Sequence, residues 1–287
     1  HVFLIYFFTM KKFFAFLFLL FISVQIFAQN KDYQTITNIH YYDETANKSD
    51  VYINERCVLD IYIPKNVKNF STVIWFHGGG LTGGNKEIPK YLQEKGIAVI
   101  GVNYRLSPKV NAAKAIDDAA AATAWVFKNI KNYGGNENLI FISGHSAGGY
   151  LASMVALNKD YLAKYNIDAN RLAGIIPFSG HAITHFTIRK EKGFPEYKPL
   201  IDEFAPIYFV RADAPPMLLI TGDRELELLG RYEENAYMLR MMKLAGHKQT
   251  TLYELQGFDH GGMAEPAFPL LLKEVKRIEK LKEIKNN

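Results

Sequence analysis

The chain has 287 residues, of which 48% are hydrophobic and 22% are charged. This composition is that of a globular protein with a sizeable core, and it excludes an intrinsically disordered chain. The formal net charge of +5 is too small to indicate a nucleic-acid partner. Cys57 is the only cysteine, so an intrachain disulfide is excluded.

The first 28 residues have the pattern of a secretory signal peptide, with residues 1–9 as an upstream extension. A short basic segment, Lys11 and Lys12, precedes an apolar run over residues 13–27, and cleavage is expected after Ala28. A membrane anchor is the alternative, but the run is shorter than the roughly 18–20 residues of a spanning helix. No cysteine lies near the cleavage point to carry a lipid.

Cleavage would leave residues 29–287 without a stable membrane anchor. The net charge falls by two to +3 when Lys11 and Lys12 are removed. An exported chain that forms no disulfide is expected in the bacterial periplasm or as a secreted bacterial protein that relies on its core.

Apolar strands and helical stretches alternate along the rest of the chain. Such alternation predicts an α/β fold, with a mostly parallel central sheet and helices on both faces. Residues 181–216 break the alternation, being polar and rich in proline, and we interpret them as a short cap-like insertion in a single domain. Strands are expected at residues 58–63, 72–76, 97–102, 139–142, 172–177, 217–221 and 250–255, and helices at 88–95, 112–131, 150–157, 231–245 and 269–284.

The sequence GHSAGG at residues 144–149 follows a predicted strand and precedes a helix. A sharp strand-to-helix turn needs very small neighbours, which Gly144 and Gly148 supply, and it leaves the hydroxyl of Ser146 clear of the sheet. The helix N-terminus behind the serine favours developing negative charge. The pattern predicts a nucleophile elbow with Ser146 as the nucleophile, and a glycine-rich turn with an incidental serine is the alternative.

A second glycine cluster, HGGG at residues 77–80, directly follows the predicted strand 72–76. Three glycines allow the backbone to approach a substrate carbonyl, where bare N–H groups stabilise an oxyanion. We expect the amides of Gly79, Gly80 and Ala147 to form this oxyanion hole. A phosphate-binding loop is the alternative, but no Lys-Ser or Lys-Thr follows as a P-loop requires.

These motifs resemble those of the α/β-hydrolase superfamily, and within it the HGGG-type esterases similar to hormone-sensitive lipase. The chain is also similar to the bacterial carbohydrate and feruloyl esterases. The resemblance implies an α/β-hydrolase fold in which the nucleophile, the acid and the histidine follow in that order along the chain. Besides the two glycine motifs, the matching segments are LDIYIP at 59–64, NYRLSP at 103–108 and PPMLLI at 215–220.

The base is expected near the C-terminus. His260 lies in the sequence GFDHGG, where glycines on both sides form a mobile loop that lets the imidazole reach the serine. The resemblance places the acid three residues after the glycine that follows strand 217–221, which selects Glu225. Asp223 is the alternative, because the loop could re-aim and the family position more often holds Asp. Glu227 is a more distant third candidate.

Two further histidines, His181 and His185, fall in the expected cap, where we expect them to line the pocket. Their four-residue spacing suits a metal pair, but no third ligand is evident in the sequence. No metal or cofactor is therefore expected.

The predicted activity is that of a serine esterase that works through an acyl-enzyme intermediate. Export and the resemblance point to acetyl or feruloyl esters of polysaccharide fragments, so the expected partner is a small-molecule or oligosaccharide ester. An arylformamidase or amidase on the same fold is the first alternative. A catalytically inactive binding protein that keeps the fold is the second, and a fluorophosphonate probe separates it from a live serine hydrolase.

Overall fold

An eight-stranded sheet organises the part of the chain that the structure describes. The computed structural model describes residues 32–228 and 230–286, so the predicted signal peptide lies outside the described residues. The strands are β1 (Tyr33–His40), β2 (Val58–Pro64), β3 (Phe70–Phe76), β4 (Ala98–Val102), β5 (Gly135–His145), β6 (Gly174–Phe178), β7 (Met217–Gly222) and β8 (Thr250–Leu255).

The strands are ordered β1-β2-β4-β3-β5-β6-β7-β8 across the sheet. Strands β1 and β2, and β2 and β4, pair antiparallel. All other neighbours pair parallel. The mostly parallel sheet expected from the sequence is confirmed. The carboxyl ends of the parallel strands share one edge, where ligand sites of such sheets form.

The α-helices of the described chain connect these strands. None of them is long and apolar enough to cross a bilayer. Short 3-10 helices lie at Lys90–Leu92, Ile130–Tyr133, Ala169–Arg171 and Pro206–Phe209. The α-helices are α1 (Glu44–Ser49), α2 (Val51–Arg56), α3 (Lys114–Asn129), α4 (Ala147–Leu157), α5 (Lys159–Ala163), α6 (Phe186–Glu191), α7 (Arg231–Leu244) and α8 (Ala264–Asn286).

The sheet has a hydrophobic core on each face. Successive residues of a strand point to opposite faces, so Ile74 and Phe76 of β3 enter one core while Val73 and Trp75 enter the other. Helices α3, α4 and α7 contribute to the first core, and α8 contributes to the second. Burial on both faces explains why these strands appear in the sequence as nearly continuous apolar runs.

Several local details of the structure differ from the expectations. Strand β1 was not predicted, because most of its residues are exposed and the apolar signal is weak. The predicted helix 88–95 is wrong: only one 3-10 turn forms, at Lys90–Leu92. Pro89 disfavours a helical residue before it, and Glu94 adopts a left-handed φ of 61° that stops further turns. Helix α8 begins at Ala264, before the predicted start, and includes Pro269.

Residues 181–216 lie between β6 and β7, where the cap-like insertion was expected. They contain α6 and the 3-10 helix Pro206–Phe209. Residues 181–189 are buried apart from the half-buried Phe186, whereas most of residues 190–203 are exposed. The assignment of residues 29–287 to a single domain stays a prediction.

A buried ion pair fixes the loop that follows β4. Asp118 of α3 is fully buried, and its carboxylate accepts hydrogen bonds from the Nη2 of Arg105 at 2.7 Å and from the Arg105 backbone N–H at 2.9 Å. Tyr42 donates to the same carboxylate at 2.8 Å. Because removing one partner of a buried pair leaves the other charge uncompensated, this contact holds α3 against the loop.

We expect Asp118→Asn to lower the free energy of unfolding by about 3 kcal/mol. The matched control is Asp117→Asn on the same helix, since Asp117 pairs only with the exposed Lys114 and Lys164 and its loss costs about 1 kcal/mol or less. Urea unfolding of both variants measures the difference. Equal losses for the two variants would contradict a structural role for the buried pair.

Candidate active site

Ser146 lies at the sharp turn between β5 and α4, with φ 56° and ψ −115°. A Cβ atom on Gly144 would lie 2.5 Å from the carbonyl oxygen of Phe76, and one on Gly148 would overlap the same oxygen. Only glycine fits at these two positions, because the β3 backbone passes directly beside them. The Ser146 N–H donates to the carbonyl of Phe178 at 2.8 Å. The turn has the geometry of a nucleophile elbow.

The side chain of Ser146 lies in front of the first turn of α4. Ser146 is 7% exposed, and its hydroxyl makes no hydrogen bond to any residue in the described ranges. The first N–H groups of a helix have no partner within the helix, and the helix dipole places partial positive charge at this end. Ala147, the first residue of α4, therefore has an N–H suited to an oxygen anion next to the serine.

The predicted oxyanion loop, residues 77–80, is held by hydrogen bonds to its carbonyl groups, whereas the amides of Gly79 and Gly80 stay unused. The carbonyl of Gly79 accepts from the Gly83 N–H at 3.0 Å, and the carbonyl of Gly80 accepts from the Thr187 hydroxyl at 2.5 Å. Within the described part of the chain, no hydrogen bond uses the N–H of Gly79 or Gly80. Their φ angles of 111° and 64° require glycine.

The oxyanion loop passes next to the serine. A Cβ atom on Gly78 would lie 3.6 Å from the Cβ of Ser146. On the other side, Phe186 of α6 covers the loop, since a Cβ on Gly80 would lie 3.2 Å from its ring. The predicted residues Gly79, Gly80, Ala147 and Ser146 therefore lie in one region, and α6 of the insertion forms part of its wall.

His260 lies in the loop after β8, and its Nδ1 is 2.8 Å from Oε2 of Glu227. The sequence prediction of Glu225 as the acid is thereby corrected. Glu225 is exposed to solvent, whereas the Glu227 side chain is 1% exposed and contacts the imidazole. Asp223, the alternative, does not contact His260 either. Glu227, the third candidate from the sequence, is the carboxylate that contacts His260.

A single helical turn after β7 explains this outcome. The N–H of Glu227 donates to the carbonyl of Asp223 at 2.8 Å, which turns the Glu227 side chain back toward the sheet. Its Oε1 then accepts from the Gly222 N–H at 2.9 Å. The Asp223 carboxylate accepts from the N–H groups of Glu225 and of Gly257, and so braces the loop that carries His260.

Ser179 is a site residue that the sequence analysis missed. Its Oγ donates to Oε1 of Glu227 at 2.6 Å and lies 3.0 Å from Nδ1 of His260. It is fully buried and has a φ of 47°, an unusual conformation for serine. Its only sequence signal is its position, since it follows β6 directly and precedes Gly180 at the same sheet edge.

Electrostatics favour an ionised Glu227 carboxylate. Burial raises the pKa of this group, but hydrogen bonds from His260, Ser179 and the Gly222 N–H outweigh burial and lower the pKa to about 2. An ionised carboxylate at Nδ1 keeps the proton on that nitrogen. Nε2 of His260 is then free to accept a proton from the serine side of the site.

His145 supports the His260 loop from below. Its Nε2–H donates to the backbone carbonyl of His260 at 2.7 Å, and the two rings lie 4.7 Å apart. Burial, followed by the neighbouring His260, lowers the pKa of His145 to about 4. His77 is also buried, which lowers its pKa to about 4, and it stacks on Tyr104. Both histidines are neutral and structural.

A buried network on α7 holds Ser179 and the start of the insertion. Arg231 donates to the Ser179 carbonyl and, through Nη2, to Nε2 of His181 at 2.9 Å. His181 therefore carries its proton on Nδ1, which donates to Glu234 at 2.9 Å. Burial, then the charge of Arg231, lowers the pKa of His181 well below its usual value. Asn235 donates to the carbonyl of Gly180 at 2.9 Å.

His185, the second histidine expected in the pocket, is fully buried. Its Nδ1 accepts from the Thr187 N–H at 3.2 Å, at the start of α6. His181, in contrast, lines a cavity next to Glu227.

The lowered pKa of Glu227 predicts a pH-dependent contribution to stability. The folded-state pKa of about 2 lies below the ordinary value of 4.5, so the stabilisation is present above pH 4.5 and is lost as the pH falls toward 2. The shift corresponds to about 3 kcal/mol. We expect the free energy of unfolding of Glu227→Gln to be about 3 kcal/mol lower than that of the wild type at neutral pH. This difference should disappear as the pH falls from 4.5 toward 2.

Urea unfolding across the acidic range measures this gap. Glu225→Gln is the matched control, because Glu225 is an exposed glutamate of the same loop and its curve should follow the wild type. A gap for Glu227→Gln that stays constant down to pH 2 would contradict the ionised, hydrogen-bonded carboxylate.

Curated relatives of the chain include esterases of Mycobacterium tuberculosis. The probable carboxylic ester hydrolase LipM is 30% identical over 169 residues, which cover 50% of this chain and 39% of LipM. The esterase LipC is 25% identical over 260 residues, which cover 77% of this chain and 62% of LipC. The chain thus spans less than two thirds of the length of either relative.

Solved structures share the fold. A truncated form of a carbohydrate esterase from gut microbiota superposes with a TM-score of 0.70 and 21% identity, over 88% of this chain and 99% of that chain. This likeness confirms the predicted α/β-hydrolase fold.

The BD-FAE family model matches residues 59–228, which is more than half of the chain. The matched range includes the oxyanion loop, the elbow at Ser146 and the buried Glu227. The predicted resemblance to esterases of the α/β-hydrolase type is confirmed by this match and by the relatives above. The chain belongs to the BD-FAE family.

Proposed function

We propose that the protein is a carboxylic ester hydrolase with Ser146 as its nucleophile. The observation that carries the proposal is the elbow at Ser146 beside the hydrogen-bonded pair of His260 and Glu227. The esterase names of LipM and LipC support the same reaction class. A histidine oriented by a carboxylate can activate a nearby serine hydroxyl for acyl transfer.

The reaction runs through two tetrahedral intermediates. The hydroxyl oxygen of Ser146 attacks the ester carbonyl while Nε2 of His260 takes its proton. The protonated imidazole then gives the proton to the leaving alcohol, which leaves an acyl group on Ser146. A water molecule, deprotonated by the same nitrogen, attacks the acyl group; the second intermediate then collapses, releasing the acid, while the imidazolium returns its proton to the oxygen of Ser146.

The backbone supplies the charge stabilisation in each step. The unused N–H groups of Gly79 and Gly80 and that of Ala147 donate to the oxyanion, with the helix dipole of α4 adding to their effect. Glu227 stabilises the imidazolium that forms on His260 and fixes its orientation. Ser179 donates to the other oxygen of Glu227 and so positions the carboxylate.

The proposed substrates are acetyl or feruloyl esters of polysaccharide fragments. The fold likeness to a carbohydrate esterase and the BD-FAE match support this class. The signal-peptide pattern of residues 1–28 supports export from a bacterial cell, where such fragments are met.

We expect Ser146→Ala to lower kcat on p-nitrophenyl acetate by about 10⁴-fold or more, because the nucleophile is lost. A fluorophosphonate probe should label the wild type and not the variant. Ser49→Ala, an exposed serine on α1, is the control and should keep both activity and labelling. Acetylated xylan and methyl ferulate, assayed in parallel, separate acetyl from feruloyl preference. Full activity of Ser146→Ala would refute the mechanism.

We expect Glu227→Gln to lower kcat by about 10²- to 10⁴-fold, since the amide no longer stabilises the imidazolium. Glu225→Gln, two residues away and exposed, should keep activity within about twofold, as surface substitutions usually do. Steady-state kinetics on p-nitrophenyl acetate compares the two variants. A larger loss for Glu225→Gln would restore the acid predicted from the sequence.

A further inference from the structure

Two buried arginines line one cavity next to the candidate catalytic residues. The cavity has a volume of about 470 Å³, and its wall includes Arg189, Arg231 and Glu227. Phe186, which packs on the oxyanion loop at Gly80, also lines it. The cavity therefore extends between the loop of the acid and Phe186, the residue that covers the oxyanion loop. Its volume is that of a small-molecule site.

Neither arginine forms an ion pair with a carboxylate in the part of the chain that the structure describes. Arg189 is 4% exposed and Arg231 is 1% exposed, and the Nε–H of each is buried without a hydrogen-bond acceptor. Within the described residues, the Arg189 side chain donates only to the carbonyl of Lys198, at 2.6 Å. Among residues 32–228 and 230–286, no carboxylate oxygen lies within 4.0 Å of either guanidinium. The Arg231 side chain already donates to Ser179 and to His181, so Arg189 has more N–H groups without an acceptor.

A buried cation that makes no ion pair is costly, because the more distant carboxylates of Glu234, Glu196 and Glu227 offset only part of its removal from water. Burial lowers the pKa of both arginines. A guanidinium nevertheless keeps its proton in a protein. The cavity wall thus holds positive charge, and Nη2 of Arg189, which makes no hydrogen bond among the described residues, is the donor that an anionic ligand would engage.

The surrounding acids limit the charge of that ligand. Glu196 lines the same cavity but is exposed to solvent, and Glu227 is engaged by His260. Glu234 is engaged by His181 and by the Ala182 N–H. With these carboxylates nearby, a singly charged anion fits better than a doubly charged phosphate. A carboxylate also matches the planar donor fork of arginine.

We propose that Arg189 binds the free carboxylate of a uronic-acid residue, so that the preferred substrates are esters carried by uronate-containing sugars. The assignment to the sugar rests on the proposed function, because acetyl and feruloyl groups carry no carboxylate of their own. Arg189 then acts as a specificity-determining residue. Arg231 adds positive charge to the cavity while it holds Ser179.

The test compares kcat/KM on O-acetylated methyl galacturonoside and O-acetylated methyl galactoside, which differ in the carboxylate. The wild type should prefer the uronoside, and Arg189→Gln should lose this preference by about tenfold or more, the usual effect of a charge-assisted hydrogen bond. Arg189→Lys, which keeps the charge without the fork, should retain part of it. Arg240→Gln, an exposed arginine on α7, should leave the ratio unchanged.

An unchanged ratio in Arg189→Gln would overturn the proposal, as would an equal loss on both sugars in a protein that still labels with fluorophosphonate. Calorimetry with methyl galacturonoside, which is not an ester, gives a readout independent of catalysis. Binding that depends on Arg189 supports the carboxylate site even where no ester is hydrolysed, an outcome that would refute only the esterase proposal. Sulfate binding as tightly as the uronoside would contradict the carboxylate assignment.

Discussion

The elbow at Ser146 forms because three backbone segments meet there without a side chain between them. The carbonyl of Phe76 at the end of β3 lies against Gly144 and Gly148, and the carbonyl of Phe178 at the end of β6 accepts from the serine N–H. The serine therefore occupies a conformation that an isolated turn would not keep. The parallel pairing of β5 with β3 and β6 fixes these segments, so the position of the hydroxyl depends on the sheet itself.

The acid and the histidine are held by contacts between distant parts of the chain. Glu227 is oriented by the Gly222 N–H and by Ser179, which lies at the end of the neighbouring strand. The loop of His260 is tied to the β7 side through Asp223 and to the elbow through His145. Glu227 and His260 are thus each positioned by contacts from more than one segment of the chain.

The structural features that depend on local sequence patterns could be predicted. Buried parallel strands appear as apolar runs, and glycines at fixed spacing marked Ser146 and the oxyanion loop, so both could be located. The choice between Glu225 and Glu227 could not be made from the sequence. It depends on one helical turn after β7 and on the contact of Asp223 with Gly257, which are 34 positions apart. The sequence analysis missed Ser179 because its hydrogen bond to Glu227 forms only when β6 and β7 are adjacent in the sheet.

Helix α7 joins the catalytic geometry to the insertion. Arg231, Glu234 and Asn235 lie on one face of the helix, since they are three and four positions apart. Through them the helix holds the Ser179 carbonyl, the ring of His181 and the Gly180 carbonyl. A change at Arg231 would therefore disturb Ser179, and with it Glu227.

Arg189 differs in this respect, because among the described residues its side chain donates only to Lys198, inside the insertion. Its side chain lines the same cavity as Arg231 but, among the described residues, makes no hydrogen bond to Ser179, His181 or Glu234. A substitution at Arg189 changes the charge of the cavity while the support of Ser179 stays in place. Arg231 thus fixes the geometry of Glu227 through Ser179, whereas Arg189 is available to bind the ligand.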